Sequence, residues 1–108
     1  MVGKKKINLR RRKVIKRIAQ KLLDKYRLKR FSFEYKNITS EGRCYPYREL
    51  IQLNGNMVDN GSLQNTIYTI KHEIVHALWP ELKHGKYFWQ KIKTIKLKNE
   101  HNTEYRSI

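Results

Sequence analysis

Between residues 10 and 29, Val14, Ile15, Ile18, Leu22, Leu23 and Tyr26 recur at helical spacing, while Arg11, Arg12, Lys16, Arg17, Lys21 and Lys25 fall on the other side. This predicts an amphipathic helix with one face on a core and a cationic face toward solvent. The pattern then changes period. Phe31-Ser32-Phe33-Glu34-Tyr35 alternates aromatic and polar residues, as a half-buried strand does. Asn37 to Gly42 reads as a loop, and further strands are predicted through Arg43-Cys44-Tyr45 and from Glu49 to Leu53. Pro46 between them marks an edge or a bend, because proline cannot donate to a central ladder. Asn54-Gly55-Asn56 and Asp59-Asn60-Gly61 read as turn punctuation, with Ser62 or Asn60 the candidate N-cap of a second helix. In that helix Ile67, Ile70, Ile74, Val75, Ala77 and Leu78 recur near helical spacing, and Pro80 should stop it near Trp79. A closing helix is expected from about Gly85, with Phe88, Trp89, Ile92 and Ile95 as its buried stripe. Together these elements predict an α+β fold: an N-terminal helix, a small antiparallel sheet, a second helix and a C-terminal helix.

With 108 residues the chain supports one core, read as a basic arm over residues 1–9 and one domain over 10–108. Charge adds a second theme. Twenty-five Lys and Arg against nine Asp and Glu give a formal net charge of +16. Such a chain attracts polyanions, with nucleic acid ahead of an anionic membrane surface. The cations cluster: Lys4, Lys5, Lys6, Arg10, Arg11, Arg12, Lys13, Lys16 and Arg17 form a dense block expected to face phosphates without sequence preference. The single cysteine, Cys44, rules out an intramolecular disulfide and a cysteine-rich metal site, and fits a reducing compartment. No apolar segment follows the basic N-terminus and no stretch approaches the length of a membrane span. A cytoplasmic or nucleoid-associated, non-secreted protein without a membrane partner is the expectation.

The chemistry concentrates in His72-Glu73-Ile74-Val75-His76. Four helical residues turn through about 400°, so His72 and His76 project together and can reach one ion. Glu73 lies alongside, placed as a general base toward water. Pro80-Glu81-Leu82-Lys83 turns the chain and can bring His84 back toward the pair. Three protein ligands leave one tetrahedral position open, the arrangement of a catalytic zinc. His101, Glu81, Glu100 and Glu104 compete with His84 for the third place. Tyr45, Tyr47 and Tyr87 are candidates to stabilise an oxyanion.

Thr69-Ile70-Lys71-His72-Glu73-Ile74-Val75-His76-Ala77-Leu78 and His84-Gly85-Lys86-Tyr87-Phe88 resemble the SprT-like zinc metalloproteases, a branch of the zincins, in a minimal single-domain form. Gly42-Arg43-Cys44 and Ile51-Gln52-Leu53 are similar to that family's Gly-x-Cys hairpin and I-x-L strand. The resemblance implies a zincin-like core, one zinc ion on His72, His76 and His84, and Glu73 as the catalytic base. It also implies an edge strand beside the active-site helix that pairs with extended peptide substrates. The reaction implied is peptide-bond hydrolysis, with DNA-associated or DNA-crosslinked proteins as possible substrates. Two departures stand beside it. Many members carry a cysteine-rich zinc ribbon after the core, which a chain with one cysteine lacks. Single-domain minimal zincins of similar length take a late glutamate as third ligand, a place Glu100 or Glu104 would fill.

Overall fold

The computed structural model describes residues 7–97. The first helix, α1, runs Leu9–Lys25. Asn8 caps it, its side chain accepting from the Arg11 amide at 3.0 Å. Ile15, Ala19, Leu22 and Leu23 are its buried residues, whereas Val14, assigned to the apolar side by spacing, is 38% exposed. The helix stops four residues before the expected Lys29. Arg27 takes a left-handed φ of 62°. Its amide donates to Asp24 and that of Leu28 to Leu23, which closes the helix by a Schellman arrangement without glycine.

Three strands follow: β1 Ser32–Lys36, β2 Gly42–Tyr45 and β3 Leu50–Asn54. Their spatial order is β1-β3-β2. The expected antiparallel sheet is in fact mixed: β2 runs antiparallel to β3, but β1 runs parallel to it, with Ser32 opposite Leu50. The burial of each strand explains the order. β3 buries Ile51, Gln52 and Leu53 in succession and takes the centre, while β1 alternates exposed and half-buried residues and suits an edge. A tight connection through the 3₁₀ turn Pro46–Arg48, with Glu49 at φ 52°, keeps β2 and β3 antiparallel. The loop between β1 and β2 crosses the end of β3, where the Asn54 side-chain amide donates to the carbonyls of Ile38 and Ser40.

Asn54 then starts a short helix that the Gly/Asn punctuation had suggested was a turn: α2, Gly55–Asn60, capped by the Asn54 side chain on the Met57 amide. It anchors α1. Arg12 makes a bidentate pair with Asp59 at 2.9 and 2.8 Å, and Arg11 donates to the carbonyl of Gly61. The carboxylate beside Arg12 is thereby held below its ordinary pKa. Arg12 also lies 4.8 Å over the ring of Tyr35, whose hydroxyl donates back to the Arg12 carbonyl. Arg11 and Arg12 are therefore half-buried fasteners, not the phosphate-facing cations that spacing suggested.

Ser62 caps α3, Leu63–Leu78, and α4 follows over Lys86–Thr94. At the far end of α1, the Tyr26 hydroxyl donates to Thr94 and accepts from the Lys96 amide at 2.8 Å. Helices lie on the sheet face that carries Phe33, Tyr35, Ile51 and Leu53, and the core joins Ile15, Leu22, Ile51, Leu53, Val58, Ile70, Ile74, Phe88 and Ile92. Among the described residues no helix is long and apolar enough to cross a membrane.

Candidate active site

The site is built on α3 because apolar positions fix which way that helix faces. Ile70, Ile74 and Val75 are buried, which turns His72 and His76 toward an open cleft. Trp79 ends the helix, its amide donating to Val75, and the turn through Pro80 closes with Leu82 donating to Trp79. That turn returns His84. The three Nε2 atoms converge: 3.2 Å between His72 and His76, 3.0 Å between His76 and His84, and 3.2 Å between His84 and His72.

Such a triangle does not satisfy itself. Each ring nitrogen carries at most one hydrogen, so three of them at these distances cannot all be hydrogen-bonded to one another. The alternative is three lone pairs aimed at one point, a donor set for a cation. Two nitrogens bound about 2.0–2.1 Å from a tetrahedral zinc lie about 3.3 Å apart, close to what the rings adopt. Electrostatics agree. Burial, then the proximity of His76 and His84, pushes His72 down to about 4, and burial with His84 lowers His76. Neutral imidazole is the form that ligates. Among the described residues this is the one convergent group of three potential ligands.

Glu73 is 4% exposed, yet its carboxyl lines the same cleft, of about 650 Å³. Burial pushes its pKa up to about 7. The opposite wall is β2, where Gly42 and Cys44 face the helices in register with Leu53 and Ile51. The Cys44 thiol is pushed up to about 12 by burial and by Glu73, which keeps it protonated and unreactive. Cys44 is thus a packed strand residue, as expected.

Of the other candidates, Tyr45 lines the cleft, whereas Tyr47 and Tyr87 are 87% and 66% exposed and do not. Glu81 lies in a separate hollow with Leu78 and Trp79. Lys4, Lys5, Lys6, Glu100, His101 and Glu104 lie outside the described residues. Arg10, Lys13, Lys16 and Arg17 are exposed on α1. Cleft residues to which sequence reasoning assigned no role at the site include Glu41, Tyr68 and Thr69. Tyr68 and Thr69 stand four and three residues before His72, so extending the ligand face by one helical turn would have found them. Thr69 donates to Glu41 at 3.2 Å, tying loop to helix. Nothing in the local sequence marks Glu41.

The SprT-like family model matches residues 11–107. The chain belongs to the SprT-like family. Among solved structures, this SprT-like chain is similar to the metallopeptidase zymogen of Methanocaldococcus jannaschii jannalysin, with a TM-score of 0.63 and 22% identity over 86% of this chain and 91% of that one. At that identity the likeness establishes a shared fold. No curated protein matches the chain.

Proposed function

We propose that this SprT-like protein is a zinc-dependent metallopeptidase. The observation that carries the reading is the convergence of three imidazoles, within 3.2 Å of one another, beside a buried carboxyl in one cleft. His72, His76 and His84 would hold one zinc ion, the metal suited to an all-imidazole site with an open position. When bound, the metal supplies Lewis acidity toward a carbonyl and water. The chain's own part is proton handling. A carboxyl poised near 7 can take a proton at its Oε atoms and return it to a departing amine at neutral pH. The description of the jannalysin structure as a metallopeptidase zymogen supports the same reading.

The edge of β2 away from β3 borders the cleft, and an extended peptide would add to it by main-chain hydrogen bonds. Tyr45 and Tyr68 are the phenols within that cleft that could donate to a developing oxyanion. The exposed cations of α1, on a chain of +16, suit proteins bound or crosslinked to nucleic acid as substrates.

The test pairs two measurements: elemental analysis of protein purified without chelator, and cleavage of a DNA-bound protein, with and without the DNA, by wild type and Glu73→Gln. One zinc per chain and cleavage lost in the variant are expected. Equal cleavage by both would place the chemistry elsewhere. Zinc without cleavage by either would leave a nucleic-acid-binding protein with a metal site of no turnover.

A further inference from the structure

The imidazoles of a metal site are usually oriented by a carboxylate or carbonyl on the second ring nitrogen. Here, among the described residues, the hydrogen-bond contacts of His72, His76 and His84 are those between their Nε2 atoms. What surrounds the rings is aromatic. Phe88, fully buried at the start of α4, places its centroid 4.8, 4.6 and 4.7 Å from His72, His76 and His84. It forms the floor.

Trp89 is the neighbour that packing of the core does not explain. Helical spacing had assigned it to the buried stripe, yet it is 43% exposed. Its indole stacks on His84 at 5.9 Å with an interplanar angle of 13°, and sits 5.7 Å from His72. It meets Phe88 edge-on at 5.4 Å. His84 needs such support more than its partners. His72 and His76 ride on a capped helix, whereas His84 is exposed in the turn between α3 and α4.

We infer that Trp89 is a positioning residue for the metal site: its indole, stacked on His84 and beside His72, holds the third imidazole in the orientation that completes the trio. The inference rests on the metal reading given above. Ring stacking takes the place that a hydrogen-bonded carboxylate fills elsewhere, and the partly exposed Trp89 screens the solvent side of two imidazoles.

Zinc affinity tests this, measured by competition with a fluorescent chelator on wild type, Trp89→Ala, Trp89→Leu and Trp89→Phe, together with thermal melts of each metal-free protein. Trp89→Ala is expected to weaken zinc binding about tenfold, at the low end of losses for residues that orient metal ligands. Trp89→Leu should fall with it, since leucine restores bulk but no ring, and Trp89→Phe should recover most of the affinity. Metal-free melting temperatures should stay close to wild type. Affinity within twofold of wild type in Trp89→Ala would overturn the inference. So would recovery by leucine equal to that by phenylalanine, or a loss matched by a fall in metal-free stability. Wild type that binds no zinc would overturn the metal reading itself, a result distinct from the others.

Discussion

Gly42 leaves room for the carboxylate of Glu73: a Cβ on Gly42 would stand 3.0 Å from Glu73 Oε2, 3.0 Å from Thr69 Cγ2 and 3.2 Å from the Gln52 carbonyl. The glycine is needed for space between β2 and α3. Gly42→Ala should displace the carboxyl by a few tenths of an ångström and lower kcat by up to about tenfold, less than the roughly hundredfold that a 1 Å misplacement can cost. Zinc content should stay near one equivalent. Adding Thr69→Ser removes a second obstruction and should restore stability more than rate. Steady-state kinetics with metal analysis checks this, and full activity in Gly42→Ala would refute it.

Glu73→Gln keeps shape and hydrogen bonding but cannot take a proton near neutrality. Proteolysis should fall by about 10²–10⁴, with zinc retained. Cleavage measured beside zinc content separates this from loss of metal.

His84→Ala removes the ligand supplied by the turn and leaves the helical pair. Bound zinc should drop below about a tenth of an equivalent after dialysis, and the stabilisation that zinc gives the wild type should vanish with it. Retention of a full equivalent would return the third place to a residue after position 97.

Opposed titrations should partly offset each other in the pH dependence of metal-free stability, Glu73 on one side and His72, with His76, on the other. Burial raises Glu73 from 4.5 to about 7, so its contribution is full at low pH and is lost as pH climbs through that window. Burial lowers His72 from 6.5 to about 4, so its contribution is present above 6.5 and is lost as pH falls toward 4. Between about pH 4.5 and 6.5 the two slopes oppose each other. Glu73→Gln deletes the first alone, so its melting temperature should rise with pH across this range more steeply than that of wild type. Parallel melting curves would contradict the assignment of Glu73.

If the chain binds nucleic acid as proposed, charge on α1 should govern that binding. If about five phosphates are contacted, affinity for duplex should fall with a log–log salt slope of about −4 to −5. Replacing Arg10, Lys13, Lys16 and Arg17 with glutamine should remove most of that slope. Arg11 and Arg12, engaged with Gly61 and Asp59, should affect folding instead. A slope unchanged in the fourfold variant would move the surface elsewhere.

What the chain reveals by itself follows how local each feature is. His72, Glu73 and His76 lie within one helical turn, and Pro80 with the short turn to His84 is nearly as local, so spacing was enough to bring them together. The parallel pairing of β1 with β3 was not legible, since strand period says which face is buried and nothing about the neighbour. Arg11 and Arg12 were misread for a similar reason: their partners, Gly61 and Asp59, lie 50 and 47 residues away. Asn54-Gly55 signals a turn and a helix start equally well, and packing of Val58 into the core decides between them.

The first helix is pinned at both ends, by Arg12 on Asp59 and by Tyr26 on Thr94 and Lys96. Its cations are therefore not a sleeve that can be cut away; removing them by truncation would unpick Ile15, Ala19 and Leu22 from the interior. A polyanion lying along this helix would take up a fixed bearing toward the cleft. Alignment, more than attraction, is what a charged helix so fastened can impose.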